Sequence, residues 1–292
     1  MSKVAVIAHA GKTFGGGLLE LRRELEQQGV ADPFWFEVAK SGEAPEHLQR
    51  ALDSGAELIF IWGGDGTVQR CLDTAAGSAA ALAIIPAGTA NLLASNLNIP
   101  RDIERAVAIG LGGERRRLDV GRFNGERFGV MAGAGFDALM IQQADGSLKD
   151  RFGRAAYVWT GSQSLRAKPF GAKIVIDGVT WYTGKASCIL VGNVGHLFGG
   201  VEVFANAQPD DGQLDIGVVK ADGITDWART LARTAIGQSD KSPFVRVTSA
   251  RKINVKLDRK VLYELDGGDR AKVKSFKVKV EPKAVTVCVP AA

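Results

Sequence analysis

Five consecutive residues, Gly63-Gly64-Asp65-Gly66-Thr67, combine three glycines with one carboxylate and one hydroxyl. Glycine lets a backbone approach an anion closely and adopt positive φ, so that successive N–H groups can point at phosphate oxygens. A helix starting at such a loop adds the partial positive charge of its N-terminus. Asp65 is the loop's single carboxylate, suited to hold Mg²⁺ or to polarise an attacking hydroxyl, and Thr67 offers a hydroxyl to a phosphate. A tight strand–helix turn without any ligand would use the same glycines. The second segment of interest is Pro86-Ala87-Gly88-Thr89-Ala90-Asn91. Alone it reads as an ordinary turn. Both segments follow short apolar runs, and in a parallel sheet both would emerge at the carboxyl edge, where ligands bind.

Three other clusters carry possible chemistry. Gly11-Lys12-Thr13 looks like the end of a P-loop, but the glycine required five residues earlier is Val6, so the spacing fails. Asp210-Asp211-Gly212 and Asp266-Gly267-Gly268-Asp269 place carboxylates beside turn-forming glycines. Cys71, Cys188 and Cys288 are odd in number, far apart and without metal-type spacing, which reads as reduced, packed thiols.

The elements that must position these residues change character along the chain. Lys3–Ala8, Leu58–Trp62 and Ala81–Ile85 are apolar runs of the kind found in strands covered on both faces. Helical patterns alternate with them: Leu18, Leu21 and Leu25 at three- and four-residue spacing, then Pro45–Ser54, Leu72–Ala76 and Ile103–Leu111. This alternation predicts a doubly wound parallel sheet over residues 1–118. Residues 119–292 read instead as short strands: Phe128–Ala132, Ala172–Ile176, Ala186–Val191, Leu214–Val219, Lys252–Leu257, Val261–Leu265, Phe276–Val280 and Val285–Val289. Turn signals at Asn124-Gly125, Asp177-Gly178, Asp211-Gly212 and Asp222-Gly223 separate several of them, and one helix is expected at Ile224–Ile236. The expected architecture is α/β plus β: a parallel-sheet domain followed by a mainly antiparallel β-sandwich, joined near Arg115–Asp119, with the last strand free to return to the first domain. A cleft between two such domains is a natural ligand site.

The longest apolar stretches, such as Ala79–Ala87, fall short of the roughly 18–20 residues of a membrane span, and Val4–Ala8 reads as a strand rather than a signal peptide. A cytoplasmic protein is expected. The net charge of +5 is uneven: residues 246–283 hold 12 Lys/Arg against 5 Asp/Glu, the remainder 25 against 27. Such asymmetry steers a protein toward anionic surfaces, each basic residue near an acidic bilayer being worth about 1 kcal/mol. A solvated strand face, with Lys277 and Lys279 alternating with Phe276, Val278 and Val280, explains the same residues.

A GGDGT loop followed by PxGTxN resembles the catalytic domain shared by diacylglycerol kinases, sphingosine kinases and bacterial lipid kinases. Asp119-Val120-Gly121, Gly133-Ala134-Gly135-Phe136-Asp137, Gly192-Asn193, Gly199-Gly200 and Pro209-Asp210-Asp211-Gly212-Gln213-Leu214-Asp215 follow in that family's order, so the likeness spans nearly the whole chain. The resemblance implies a first domain of the NAD kinase and phosphofructokinase type. It implies ATP and Mg²⁺ as cofactors and a lipid hydroxyl such as that of diacylglycerol as acceptor, met at the inner membrane face; no nucleic-acid partner is expected. It places ATP on Gly63, Gly64, Asp65, Gly66, Thr67, Gly88, Thr89 and Asn91, with the loop His9–Thr13 bringing Lys12 to phosphate. It assigns a structural Mg²⁺ to Asp211 with carbonyls of Gln208 and Gln213. An apolar opening for the lipid would draw on Phe136, Met140, Phe152, Tyr157, Trp159, Leu197 and Phe198, each equally suited to a core. The loop His9–Thr13 departs from the family's usual Asn-Pro-x-Ser-Gly. So do Gln69-Arg70, where bacterial relatives commonly have Asn-Glu, and Gly268, where the family's Asp-Gly-Glu carries its general base. Asp269, one residue on, is the candidate replacement, since a carboxylate must come within about 3 Å of the hydroxyl it activates. An NAD kinase-like enzyme, or a nucleotide- or lipid-binding regulator without a base, are the alternatives.

Overall fold

Burial rather than propensity selects the first elements. The computed structural model describes residues 3–135, 169–197, 201–221 and 244–291. Strands β1 (Val4–His9), β2 (Phe34–Val38), β3 (Leu58–Gly63) and β4 (Ala81–Pro86) alternate with helices α1 (Gly17–Gln27), α2 (Ala44–Asp53), α3 (Asp65–Ala75), α4 (Leu92–Asn96) and α5 (Ile103–Gly112). Every residue of β3 and β4 is buried, as expected of strands with both faces covered. α1 turns Leu21 and Leu25 inward, and the Asp102 side chain caps α5 by accepting the Arg105 N–H at 2.8 Å. The helix expected from Leu72 begins at Asp65, directly off the glycine loop, because Gly64 serves as its N-cap.

β1 pairs in parallel with β2 on one side and β3 on the other, and β3 pairs in parallel with β4. The order 2-1-3-4 puts the reversal of winding between β1 and β3, the point at which open α/β sheets bind ligands beyond their carboxyl ends.

The remaining strands are β5 (Glu114–Phe123), β6 (Glu126–Phe128), β7 (Met131–Ala134), β8 (Phe170–Ile176), β9 (Val179–Ala186), β10 (Cys188–Gly192), β11 (His196–Leu197), β12 (Val201–Glu202), β13 (Leu214–Val219), β14 (Val245–Ala250), β15 (Lys252–Leu265) and β16 (Gly268–Val289). The chain divides into two compact units, 1–120 with 282–292, and 121–281. In the first, the end of β16 pairs in parallel with β4 through Thr286 and Val287. The second is antiparallel throughout: β14–β13–β10–β7–β15–β16, with β8 and β9 continuing from β15, and β5 with β6. Its core stacks Phe123 between Tyr263 and Phe276, with ring centroids 4.5 and 4.6 Å away.

Several strand boundaries differ from those expected. Lys252–Leu257 and Val261–Leu265 are one strand, because an irregularity between Lys256 and Val261 absorbs the break in pattern. Phe276–Val280 and Val285–Val289 are also one strand: Pro282 and the left-handed Lys283 (φ 50°) bend it without ending it. Conversely, Phe128–Ala132 is split between β6 and β7. Arg115–Asp119, expected as a join between domains, lies inside β5, and the first unit ends one residue later at Val120. The helix expected at Ile224–Ile236 and the Asp222-Gly223 turn lie outside the described residues. Cys71, Cys188 and Cys288 are free and buried, and no helix among the described residues is long and apolar enough to cross a membrane.

Gly110 of α5 sets how closely that helix meets the sheet, since an added Cβ would lie 2.2 Å from the Phe60 ring and 2.9 Å from Ala83 Cβ. Gly110→Ala is expected to lower stability by about 2 kcal/mol through overpacking, read as a lower midpoint in urea with an unchanged slope.

Candidate active site

Three loops leave the same edge of the parallel sheet, after β1, β3 and β4. Trp62, fully buried near the end of β3, donates its indole N–H to the Lys12 carbonyl at 3.2 Å and so fixes the first loop beside the second. The second and third meet back to back. A Cβ on Gly88 would lie 2.5 Å from Gly64 Cα, and one on Gly64 would lie 3.2 Å from Gly88 Cα and 3.9 Å from Lys12 Cε. Only glycine permits that approach, and it brings the Lys12 side chain over Gly64.

Asp65 joins the loops. Its Oδ2 accepts the Asn91 N–H at 2.9 Å and its Oδ1 the Leu92 N–H at 2.5 Å. These are amides at the start of α4, so a side chain from another loop does the work of a cap. Burial raises the Asp65 carboxyl above its usual range, while the bonds from Leu92 and Asn91 and the charge of Lys12 pull it back. Asn91, left-handed at φ 50°, closes its own loop: its Oδ1 accepts the Gly88 N–H and its Nδ2 donates to the Gly88 carbonyl, both at 2.9 Å. Asp65, expected to serve a metal or a hydroxyl, therefore also braces the loop pair.

The other expected residues take distinct positions. Thr67 is 2% exposed and folds its side chain against Gly63, where an added Cβ would lie 2.6 Å from it. Gly66 and Thr89 are exposed, and the nearest atom to a Cβ on Gly66 is Ser41 Oγ at 3.7 Å. Lys12, the open first turn of α3 at Gly66 and the Thr89 hydroxyl thus form a surface with the charge and donors to fit a phosphate chain.

In the second unit, Gln208, Asp211 and Gln213 line one small hollow with Gly192, Asn193 and Asp215. Asp211 Oδ1 accepts the Gln213 N–H at 2.8 Å. Burial raises the Asp215 carboxyl; a hydrogen bond from Ser249 opposes this, and the charge of Asp211 adds to it. Among the described residues no three His, Cys, Asp or Glu side chains gather as a metal cluster. A cation in this hollow would lean on carbonyl oxygens beside its carboxylates, donors that suit a hard ion.

The acidic turn sorts into three roles. Asp266 receives the N–H groups of Gly129, Val130 and Met131 at 2.8, 2.9 and 2.8 Å, which is why β6 and β7 are separate strands. Asp269 is exposed and pairs across the ladder with Glu264. Glu264, 5% exposed and missed in the sequence, has its Oε2 without a hydrogen-bond partner among the described residues. Burial first, then the charges of Asp269 and Asp266, push its carboxyl up to about 7. The available signal was a lone acid in the run Val261-Leu262-Tyr263-Glu264-Leu265. Beside Gly268, where the resemblance puts a glutamate, lies Arg270 Nη1, 2.8 Å from an added Cβ; that guanidinium also binds Glu126. Leu197 is partly buried in β11. Phe136, Met140, Phe152, Tyr157, Trp159 and Phe198 lie outside the described residues.

A parallel sheet with braced glycine loops at its carboxyl edge, followed by an antiparallel β-sandwich, defines the nucleotide-binding kinase fold shared by lipid kinases and NAD kinases. The family profile "Diacylglycerol kinase catalytic domain" matches residues 3–123, and that of the "YegS C-terminal NAD kinase beta sandwich-like domain" residues 130–289. The chain belongs to the diacylglycerol kinase-like family of lipid kinases. It is 28% identical over 255 residues to a diacylglycerol kinase of Bacillus subtilis, covering 86% of this chain and 83% of the relative. A diacylglycerol kinase structure from Bacillus anthracis superposes with a TM-score of 0.80 at 25% identity, over 99% of this chain and 97% of that one. An NAD kinase of Archaeoglobus fulgidus, solved with ATP, shares the fold at a TM-score of 0.53 and 12% identity, over 98% and 93% of the two chains.

Asp65→Asn replaces one accepting oxygen with a donor and leaves an amide at the start of α4 unpaired. We expect a stability loss of about 2–3 kcal/mol in chemical denaturation; an unchanged midpoint would show that the brace carries no energy. Glu264 gives a pH signature. Its folded carboxyl titrates near 7 against 4.5 for the free group, so the folded state holds the extra proton between those values. Stability is full below about 4.5 and falls as pH rises to about 7, by on the order of 3 kcal/mol. Glu264→Gln should flatten that part of the stability–pH curve.

Proposed function

We propose that this chain is an ATP-dependent lipid kinase that transfers the γ-phosphate to a lipid hydroxyl such as that of diacylglycerol, working as a peripheral protein at the inner membrane face. The observation that carries the reading is the convergence of Lys12, the Gly63–Thr67 loop and the Gly88–Asn91 loop at one sheet edge, in a family whose named relatives include diacylglycerol kinases. ATP would supply the transferable phosphoryl group, and its Mg²⁺ would neutralise charge on the phosphates. Lys12, the α3 N-terminus at Gly66 and the Thr89 hydroxyl hold the phosphate chain. Asp65 keeps the two glycine loops in register, which makes catalysis chiefly a matter of positioning. Asp65 or Asp269 orients the acceptor hydroxyl as a carboxylate acceptor. Asp211, with the carbonyls of Gln208 and Gln213, is the proposed structural Mg²⁺ site.

One observation favours a second reading. Gly268 supplies no carboxylate and sits beside the Arg270 guanidinium, as expected of a nucleotide- or lipid-binding regulator that lacks a base. Incubating the protein with Mg²⁺, isotopically labelled ATP and membrane extract, followed by mass spectrometry, separates the two. A labelled lipid phosphate names the acceptor. ATP binding with no labelled product supports the regulator, and label appearing on NAD alone would replace the lipid reading with an NAD kinase-like one. In an active preparation, Lys12→Ala is expected to raise the KM for ATP by roughly 10-fold or more, the loss of a charge-assisted phosphate contact.

A further inference from the structure

The lysines of the second unit are ordered by its ladder. β9, β8, β15 and β16 lie side by side, and alternate residues such as Ile174, Ile253, Val255 and Val278 point into the core. The intervening positions face solvent, and the register aligns them. Lys252 stands opposite Lys279, Lys256 opposite Lys173, Asn254 opposite Lys277, and Lys185 opposite Gly171. Like charges directly opposed on a ladder are destabilising, and two such pairs occur here within a few residues.

The usual reason for lysine in a strand is to guard a sheet edge against unwanted pairing. That reason fits Lys185 on the edge strand β9. It does not fit Lys173, Lys252 or Lys256, because β8 and this part of β15 are hydrogen-bonded on both sides. Among the acids at this face, Asp258 offsets charge at one end, its carboxylate 2.8 Å from a Cβ added at Gly171, the residue opposite Lys185, and the others are engaged elsewhere. Glu281 is shared by Arg122, Arg127 and Lys279, and the Asp177 carboxylate accepts the Arg251 and Lys252 backbone N–H groups. Among the described residues, Lys173, Lys185, Lys252, Lys256 and Lys277 make no ion pair.

The character of the face selects its partner. Four strands give a width of about 14 Å, and among the described residues no aromatic ring stands at these lysine positions for bases to stack on. Lysine is a hydrated point charge rather than a fork that reads individual phosphates. A spread array of such charges matches a diffuse array of anions. We propose that the outer face of β8, β15 and β16, centred on Lys173, Lys252 and Lys256, is a docking surface for an anionic lipid bilayer.

The test needs no turnover, so it stands or falls apart from the kinase reading. The full chain is sedimented with vesicles of phosphatidylcholine alone and with phosphatidylglycerol added, at low and high salt. Wild type should bind the anionic vesicles at low salt and release them at high salt. Removing roughly fivefold in affinity per lysine, the triple variant Lys173→Gln/Lys252→Gln/Lys256→Gln should bind about 100-fold more weakly, and its melting temperature should be equal or higher because opposed like charges are gone. The matching triple change to arginine should retain binding, which separates charge from misfolding. Vesicle binding equal in wild type and the glutamine variant, or no binding by wild type, would overturn the proposal. Tighter wild-type binding to duplex DNA than to the vesicles, lost in the glutamine variant, would overturn it in favour of nucleic acid.

Discussion

A partly buried carboxylate at a strand–helix junction is expensive to keep, and Asp65 shows what can offset that expense. It accepts two backbone amides from a neighbouring loop, at 2.9 and 2.5 Å, with Lys12 contributing favourable charge nearby. α4, to which those amides belong, is five residues long, too short to hold itself together in water. Its position therefore depends on Asp65, on the ring that Asn91 closes with Gly88, and on the absence of side chains at Gly64 and Gly88. The same contacts that build the loop pair leave Gly66 and Thr89 exposed and set the Lys12 side chain beside Gly64. The open surface beside Lys12, Gly66 and Thr89 is a by-product of how the loops are tied.

The second unit uses a related device three times. Asn124-Gly125, Asp177-Gly178 and Asp266-Gly267 each have positive φ at both residues, the backbone that closes a two-residue hairpin. In each, the Asn or Asp also accepts amides from a distant segment: Lys277 for Asn124, Arg251 and Lys252 for Asp177, and Gly129, Val130 and Met131 for Asp266. One residue thus turns the chain and fastens it elsewhere. This gives Asp266 a structural purpose that does not depend on catalysis, and it leaves Glu264 and Asp269 as the acids whose chemistry is still open to use.

One departure from the family pattern, Gly268, falls in that turn. Gly268 carries no carboxylate, Arg270 occupies the space beside it and is held by Glu126, and a buried acid stands at Glu264 with one oxygen unpartnered among the described residues. A buried acid with an unsatisfied oxygen is costly unless it stays protonated, which agrees with the upward shift of Glu264.

The amino-acid order by itself determined the strand–helix alternation, the change to antiparallel strands, and the two glycine segments, since all of these are written in local periodicity and turn chemistry. It could not determine that Asp65 reaches Asn91 and Leu92, that Glu264 is buried opposite Asp269, or that Lys173 comes to face Lys256. Those facts depend on register between strands and on which loops share an edge. Pairing partners tens of residues apart are set by the summed burial of whole elements, and a linear reading sees only neighbours. The long strands β15 and β16 show the same limit: polar and proline interruptions look like ends locally, whereas ladder bonds across the sheet carry the strand through them.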